Sequence, residues 1–378
     1  MSEFRPFRYR FSNQTSRYPV RRIEAGRSLG RSWRAVSLVI WLVLAGVSTR
    51  EAAAGKLQRF EFLQIRMGIP VSLVVYGPDE HAANNATREA YDRLREIDRI
   101  MSDYDPDSEL MQLCRTSRPG HPVKVSNELF HVLNDAVRLS RRTDGAFDVS
   151  IGPVVRLWRQ ARRKRELPDT DQLTLARQQV GFEAIRLDPE HQTVELRKSG
   201  MRLDLGGIAK GYAADEALRI LREHGVPRSL VDAGGDIVAG DPPPDRPAWT
   251  IAIQPLGKAS SKDALTLQIA RTAVATSGDA YQYVEIDGVR YSHIVDPATG
   301  LGLTQSSSVT VIAADGTTSD SLASAVSVLG PERGMQLIEQ TKGVEALIVV
   351  AGAEGPVTYR SSGFEAFLAV SQAQPEKN

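Results

Sequence analysis

The most constraining stretch of this chain is Leu203–Ala214, which reads LDLGGIAKGYAA. Apolar side chains alternate before the Gly206-Gly207 pair, and this pattern predicts a strand. A helical pattern follows and continues through Asp215–Leu221, with Lys210 in its first turns. A glycine turn that leads into a helix N-terminus brings backbone N–H groups and a favourable dipole close to an anion. The segment therefore indicates either a phosphate site or an ordinary strand–turn–helix with a surface lysine.

Charge is distributed unevenly along the 378 residues. Residues 1–54 contain ten arginines, no lysine and three glutamates, which leaves 37 basic and 43 acidic groups, a net charge of −6, in the rest. Within residues 1–54, an Arg-rich part precedes the apolar run Ala35–Val47, and the small residues Ala52-Ala53-Ala54 follow. This order predicts a signal peptide over residues 1–54, with an uncleaved N-terminal anchor and membrane association as the alternative. We therefore expect export across a membrane, and a single domain over residues 55–378.

Nucleic acid is not an expected partner, because the body of the chain is mildly acidic. The basic run Arg156–Leu167 contains one aromatic residue and stands alone, which favours a solvated helix or loop over a binding patch. Cys114 is the only cysteine, so an intramolecular disulfide framework and a cysteine metal cluster are both excluded.

In the first half of residues 55–378, the sequence pattern predicts strands and long helices in alternation. Phe60–Tyr76 reads as two strands broken at Met67–Pro70, and helical spacing follows over Asp79–Met101 and Asn127–Thr143. The second strand of a later pair leads into the central glycine segment, and Ser229–Asp232 reads as the strand that follows its helix.

The second half adds hairpins. Tyr281–Ile286 and Tyr291–Ile294 flank Asp287-Gly288, a strong hairpin signal. Two helices, Ser319–Leu329 and Gly330–Gln340, precede a strand at the end of the pattern. Strands outnumber helical crossovers, so the predicted class is α+β, with largely antiparallel sheets and packed helices. The similar content of the two halves allows an internally duplicated, T-fold-like architecture.

Asp320 and Ser324 are the clearest candidates for metal ligands. They are spaced i and i+4 and share one face of the predicted helix. Hard oxygen ligands at this spacing suit Mg²⁺, but an N-terminal acid and a back-bonded serine are the plainer interpretation of the same pair. His293, predicted to lie in a strand, has structural and catalytic interpretations. The chain has no G-x-S-x-G, His-Glu-x-x-His, Walker A or G-x-G-x-x-G motif.

Taken together, the motifs resemble one family, the FAD:protein FMN transferases (ApbE-type flavin transferases). The resemblance covers roughly residues 60–350. The matching stretches, in chain order, are MGIPVSLVVY, MSDYDPDSEL, GAFDVSIGP, LDLGGIAKGYAAD, VDAGGDI, ATSGD, YSHIVDPATG and SVTVIAADGTTSDSLASAVSVLG.

The resemblance implies a Mg²⁺-dependent enzyme that cleaves FAD, its substrate, and transfers FMN to a Thr or Ser of an acceptor flavoprotein subunit. The expected acceptor is a membrane or periplasmic redox protein, and the expected location is the periplasm or the periplasmic face of the inner membrane. His293 is the implied catalytic base. The implied metal ligands are the Gly207 carbonyl, Asp320 and Ser324. The implied flavin contacts are Met67, Tyr104, Ala146, Phe147, Asp148, Asp204, Lys210 and Ile294.

Three positions depart from the family pattern. Ser324 stands where threonine is usual, Cys114 where asparagine is common, and Leu301-Gly302 where Tyr-Pro often follows Thr-Gly. Two other functions use nearly the same residues, namely hydrolysis of FAD to FMN and AMP, and flavin binding without catalysis. Lys210, Asp320, Ser324 and His293 favour catalysis, because a binding protein needs no metal placed at the pyrophosphate.

Overall fold

The first hairpin follows its sequence pattern closely. Strand β1 (Gln58–Arg66) pairs antiparallel with strand β2 (Ile69–Gly77) along its whole length. Met67 and Gly68 form the two-residue turn, with φ of 50° and 73°. Positive φ at both turn residues matches the right-handed twist of the paired strands. The predicted break within residues 60–76 is therefore confirmed.

The computed structural model describes residues 56–253, 256, 265–278 and 282–369. The predicted signal peptide, Asp279 of the ATSGD motif and Tyr281 at the start of a predicted strand lie outside the described residues. None of the helices in the described part of the chain combines the length and the apolar character needed to cross a membrane.

Most helices begin at a side-chain cap. Asp79, Ser108, Ser126, Asp169 and Asp315 each accept a hydrogen bond from a backbone N–H three residues later. In the described residues the helices are α1 (Glu80–Met101), α2 (Glu109–Thr116), α3 (Asn127–Arg142), α4 (Gly152–Lys164), α5 (Thr170–Gln178), α6 (Ala209–Glu223) and α7 (Gly316–Glu339).

The remaining strands are β3 (Val123–Lys124), β4 (Ile185–Asp188), β5 (Thr193–Leu196), β6 (Ser229–Ala233), β7 (Asp236–Ala239), β8 (Trp249–Ile253), β9 (Leu265–Ile269), β10 (Thr272–Gly278), β11 (Tyr283–Ile286), β12 (Val289–Ser292), β13 (Ser307–Ala313), β14 (Glu345–Gly352) and β15 (Gly355–Arg360). Six of them join β1 and β2 in one eight-stranded sheet, in the order β1-β2-β6-β7-β10-β13-β14-β15. Every strand pair in the described residues is antiparallel. The α+β class with largely antiparallel sheets is confirmed, and the internal duplication stays a prediction.

Apolar side chains form three clusters. The largest joins one face of the eight-stranded sheet to α1, α3, α6 and α7. A second joins the opposite face to the β8–β9 hairpin and to a short 3₁₀ turn at Phe364–Phe367. A third packs α4 and α5 against the β11–β12 hairpin through Trp158, Val284 and Ile286. The third cluster therefore ties the segment that carries His293 to α4.

The predicted strand before Gly206 is wrong. Met201, Leu203 and Leu205 are buried as their alternation suggests, but residues 201–205 form no strand. The segment instead makes isolated backbone contacts, such as the hydrogen bond from the Asp204 N–H to the Val149 carbonyl (2.8 Å). An alternating apolar pattern indicates which side chains face the core. A strand forms only where a neighbouring strand can also pair with it.

Other boundaries also differ. The second strand of the predicted hairpin spans Val289–Ser292, so His293 lies just after the strand and not in it. The strand at Glu345–Gly352 is followed by β15, so it does not close the sheet. The predicted break at Gly330 is confirmed, because that residue is non-helical (φ 76°, ψ 177°) and Pro331 follows it within α7.

Candidate active site

The turn at Gly206–Ile208 brings three of the predicted site residues together. A β-carbon placed on Gly207 would lie 2.8 Å from Ser324 Oγ and 3.3 Å from Phe147 Cε2. Only glycine fits this approach without moving those neighbours. The backbone of the turn therefore lies directly against the α7 hydroxyl that was predicted to bind a metal.

Two further glycines place Asp320. A β-carbon on Gly211 of α6 would overlap the Gly316 carbonyl of α7 and lie 2.9 Å from Asp320 Cβ. The N-terminal turns of α6 and α7 therefore meet backbone to backbone. As a result the Gly211 N–H donates a hydrogen bond to Asp320 Oδ2 (3.1 Å). Asp215 strengthens the same junction by accepting hydrogen bonds from the N–H groups of Gly316 (2.6 Å) and Thr317 (2.8 Å).

The plainer interpretation of Asp320 and Ser324 does not describe the structure. Asp315 caps α7, whereas Asp320 lies a turn further along and faces α6. Ser319, Ser321 and Ser327 donate to helix carbonyls within four residues. In contrast, the Ser324 hydroxyl makes no hydrogen bond within the described residues. It is thus available to a ligand.

Lys210 joins this group from α6. Its ammonium forms an ion pair with Asp236 and lies 3.6 Å from Asp320 Oδ1. Burial lowers the pKa of Lys210, but the charges of Asp236 and Asp320 outweigh burial and hold that pKa above its ordinary value. A third of the lysine side chain remains exposed, but its ammonium is buried between the two carboxylates.

Asp236 was not among the predicted site residues, although the VDAGGDI motif contains it. Its side chain is 5 % exposed. Burial and the neighbouring charge of Asp320 raise the pKa of Asp236 to about 7, against the opposing effect of Lys210. The site thus contains two closely placed carboxylates and one ammonium. Because the carboxylates outnumber the ammonium, the site favours binding of a further cation.

The metal prediction can be tested against these donors. The described residues contain no group of three or more His, Cys, Asp or Glu side chains placed to hold a metal ion. The candidate donors are instead the Asp320 carboxylate, the unbonded Ser324 hydroxyl and the adjoining Gly207 backbone. An all-oxygen set with one carboxylate fits Mg²⁺, which keeps several water ligands and uses substrate phosphates.

Tyr104 and Asp204 belong to a second group, which is organised by Arg159 of α4. Arg159 Nη2 donates to Asp204 Oδ2 (2.9 Å), and Nη1 bonds to Asp103. The guanidinium carbon lies 4.1 Å from the centroid of the Tyr104 ring. The interpretation of residues 156–167 as a solvated segment is therefore wrong for Arg159, whose side chain is 22 % exposed.

The loop after α3 carries Ala146, Phe147 and Asp148. Phe147 and Asp148 are buried, and Ala146 is partly exposed. The Asp148 carboxylate accepts hydrogen bonds from the N–H (2.8 Å) and the hydroxyl (2.7 Å) of Ser150 and from the Phe182 N–H (2.9 Å). Burial raises the pKa of Asp148 despite these donors. The Asp148 side chain therefore shapes the loop, and Ala146 is the partly exposed residue of the three.

Met67 lies on the first hairpin, whereas His293 and Ile294 are neighbours in the segment after β12. The hairpin tip that carries Met67 lies beside the Gly234-Gly235 turn leading to Asp236, since a β-carbon on Gly234 would be 3.1 Å from Ile69 Cδ1. His293 Nδ1 lies 3.1 Å from the Gln282 carbonyl, and the Ile294 N–H donates to Ser292 Oγ (3.1 Å). Within the described part of the chain, no direct contact links His293 to Lys210, Asp320 or Ser324.

Comparison with known proteins identifies the family. A sequence profile of the ApbE family matches residues 67–348. The chain belongs to the ApbE family. It is 32 % identical over 332 residues to the FAD:protein FMN transferase of Treponema pallidum, across 84 % of this chain and 91 % of that protein. It is 34 % identical over 278 residues to the FAD:protein FMN transferase of Vibrio cholerae, across 73 % and 82 %.

Solved ApbE-family structures have the same fold. The flavin transferase ApbE from Vibrio cholerae superposes with a TM-score of 0.73 at 30 % identity, covering 82 % of this chain and all of that one. The ApbE protein from Thermotoga maritima also gives 0.73 at 30 % identity, with coverage of 83 % and 100 %. The resemblance inferred from the motifs is therefore confirmed at the level of family and fold.

Proposed function

We propose that the protein is a Mg²⁺-dependent FAD:protein FMN transferase. It cleaves FAD, attaches FMN through a phosphoester bond to a Thr or Ser of an acceptor protein, and releases AMP. The observation that carries this proposal is the placement of Lys210 between Asp236 and Asp320, together with the close approach of Gly207 to Ser324. The names of the ApbE relatives support the same activity.

The proposed reaction needs Mg²⁺ near the pyrophosphate of FAD. Asp320, the Ser324 hydroxyl and the Gly207 carbonyl would hold Mg²⁺. When bound, Mg²⁺ neutralises negative charge on the phosphate oxygens of the substrate. Lys210 contributes the second positive charge, and its ion pair with Asp236 orients the ammonium. In this position Lys210 would contact the phosphate oxygens of the substrate beside the metal.

The reaction replaces a phosphoanhydride bond with a phosphoester bond at the phosphorus of the FMN half of FAD. The acceptor hydroxyl oxygen bonds to that phosphorus, and the bond to the bridging oxygen breaks. The electron pair of that bond leaves with AMP. His293 takes the proton of the acceptor hydroxyl. The flavin substrate is held by seven further residues, namely Met67, Tyr104, Ala146, Phe147, Asp148, Asp204 and Ile294.

The activity can be tested without knowing the acceptor. Deleting the gene in the source organism should remove covalent flavin fluorescence from one or more protein bands in a denaturing gel. The wild-type gene should restore the bands, and the Asp320→Asn variant should not. Bands that persist after deletion would contradict the proposal. With purified protein, AMP release from FAD that needs no acceptor would identify a hydrolase, and tight FAD binding with no release under any condition would identify a binding protein.

We further propose that the protein is exported and acts at the periplasm or the periplasmic face of the inner membrane, on a membrane or periplasmic redox subunit. The arginine-rich, apolar and alanine-rich order of residues 1–54 supports export. Cell fractionation with mass measurement of the mature chain tests it. A soluble periplasmic form beginning near residue 55 means cleavage, a membrane-bound full-length form means an anchor, and a full-length cytoplasmic form contradicts export.

A further inference from the structure

Arg159 has an arrangement that the proposed chemistry does not yet use. Its two terminal nitrogens bond to two different carboxylates, those of Asp103 and Asp204, and its guanidinium carbon lies over the Tyr104 ring. Its Nε is buried and makes no hydrogen bond within the described residues. The guanidinium is therefore positioned by these three neighbours, which come from two separate loops.

Tyr104 depends on that contact for its orientation. The residue is 76 % exposed, on the loop between α1 and α2, so no hydrophobic core packs around its ring. The guanidinium 4.1 Å from the ring centroid lies within the range of a cation–π interaction. Because the arginine covers one face of the ring and the ring remains mostly exposed, the opposite face is open for an aromatic group to stack.

Arg159 favours the charged form of Asp204. Asp204 is 11 % exposed at its side chain and faces Asp103 of the α1–α2 loop, Arg159 of α4 and Arg202 of its own segment. Burial and Asp103 raise the pKa of Asp204, and the two arginines oppose that rise. Without Arg159, two nearby carboxylates would lose the cation that bridges them.

Buried contacts of the neighbouring residue Trp158 hold helix α4, which carries Arg159, in place. Trp158, next to Arg159 in sequence, is 2 % exposed and donates its Nε1–H to the Gly300 carbonyl (2.8 Å). Its ring centroid lies 5.2 Å from that of Tyr291. One side of the helix thus packs in the third apolar cluster, while Arg159 extends from another side to Asp204 and Tyr104.

From this geometry we infer that Arg159 is a positioning residue for FAD, holding the Tyr104 ring and the Asp204 carboxylate in the orientation that receives the flavin substrate. This inference rests on the proposed function. It predicts that Arg159 acts on FAD binding, whereas Lys210, Asp320 and Ser324 act on the transferred phosphate.

The test compares full-length Arg159→Gln and Arg159→Lys with wild type and with Arg163→Gln. The control removes the same charge from an exposed position on the same helix. FAD affinity is measured by fluorescence titration, and FMN transfer by steady-state kinetics.

We expect Arg159→Gln to raise the Kd and KM for FAD about 10-fold or more, while kcat at saturating FAD stays within about 3-fold of wild type. Arg159→Lys should recover part of the affinity, because it restores the charge without the planar two-carboxylate contact. Arg163→Gln should match wild type.

A double-variant comparison separates positioning from general stability. Arg159→Gln should weaken FAD binding much less in a Tyr104→Leu background than in wild type, because the ring it orients is gone. An additive effect of the two changes would contradict the inference. If Arg159→Gln does not fold, a wild-type KM in Arg159→Lys would equally contradict it.

Two further outcomes are decisive. An unchanged KM for FAD, combined with a lower melting temperature and less active protein, would make Arg159 a structural residue and overturn the inference alone. Failure of the wild-type protein to bind FAD or transfer FMN would overturn the proposed function as well.

Discussion

Lys210 Nζ lies 3.6 Å from Asp320 Oδ1, and the same ammonium is ion-paired to Asp236. One cation thus faces two buried carboxylates, and the carboxylates come from α7 and from the start of β7. Buried like charges at close range are unfavourable unless positive charge is nearby. Lys210 provides part of this compensation, and a divalent cation bound at Asp320 would provide the rest.

Asp320→Asn should abolish FMN transfer while leaving the fold intact. The amide oxygen can still accept the hydrogen bond from the Gly211 N–H, but the negative charge that attracts Mg²⁺ is lost. We expect turnover to fall by about 10²-fold or more. Transfer assays at several Mg²⁺ concentrations, with the thermal unfolding midpoint as the check on folding, measure this effect. Near-normal turnover at physiological Mg²⁺ would refute the ligand assignment.

Ser324→Ala should impair metal use without a measurable loss of stability. The hydroxyl makes no hydrogen bond within the described residues, so its removal should change the unfolding free energy by no more than about 0.5 kcal/mol. The Mg²⁺ concentration for half-maximal transfer should rise about 10-fold. Ser327→Ala is the matched control, because Ser327 bonds to the Ala323 carbonyl. Equal Mg²⁺ requirements in the two variants would argue against Ser324 as a ligand.

Lys210 and His293 should differ in the step they affect. Lys210→Gln removes the ammonium and should weaken FAD binding and slow transfer together. His293→Ala should keep FAD affinity within about 3-fold of wild type, while transfer falls about 10²–10⁴-fold, the range for a positioned general base. FAD titrations and single-turnover transfer separate the two effects. If His293→Ala loses FAD binding but transfers normally at saturating FAD, the histidine is a flavin contact and another group is the base.

Asp215 should make the stability of the protein depend on pH. Burial raises the pKa of Asp215 to about 6, although Gly316 and Thr317 donate hydrogen bonds to its carboxylate. Because this pKa exceeds the value in the unfolded chain, the folded protein binds more protons between about pH 4 and pH 6, and its stability falls as pH rises through this interval. The loss should reach about 1–3 kcal/mol.

The matched variant for this effect is Asp215→Asn, which cannot titrate. Denaturant unfolding of wild type and variant at pH 4.5, 5.5 and 6.5 measures the difference in unfolding free energy. The stability of the wild type should decrease relative to that of Asp215→Asn as the pH increases. Parallel pH profiles for the two proteins would show that Asp215 titrates normally.

Local patterns in the sequence were sufficient for many elements. Met67-Gly68 predicted the first hairpin turn, and Gly330-Pro331 predicted the break within α7. These signals are local because a glycine or proline restricts or frees its own backbone, whatever lies elsewhere in the chain. The motifs also identified the family. They predicted Gly207, Ser324 and Phe147 as site residues, and these three lie together in the structure.

Long-range contacts were decided only by the tertiary structure. No local pattern distinguishes Arg159 from the other arginines of α4, yet the path of the chain places Asp103 and Asp204 against it. Asp236 likewise gains its raised pKa from burial and from Asp320, a residue of another element. The sequence alone determined the family, most of the element types and the chemistry available. Which carboxylate meets which cation depended on packing, because electrostatic interactions act across a few ångströms of space and not along the chain.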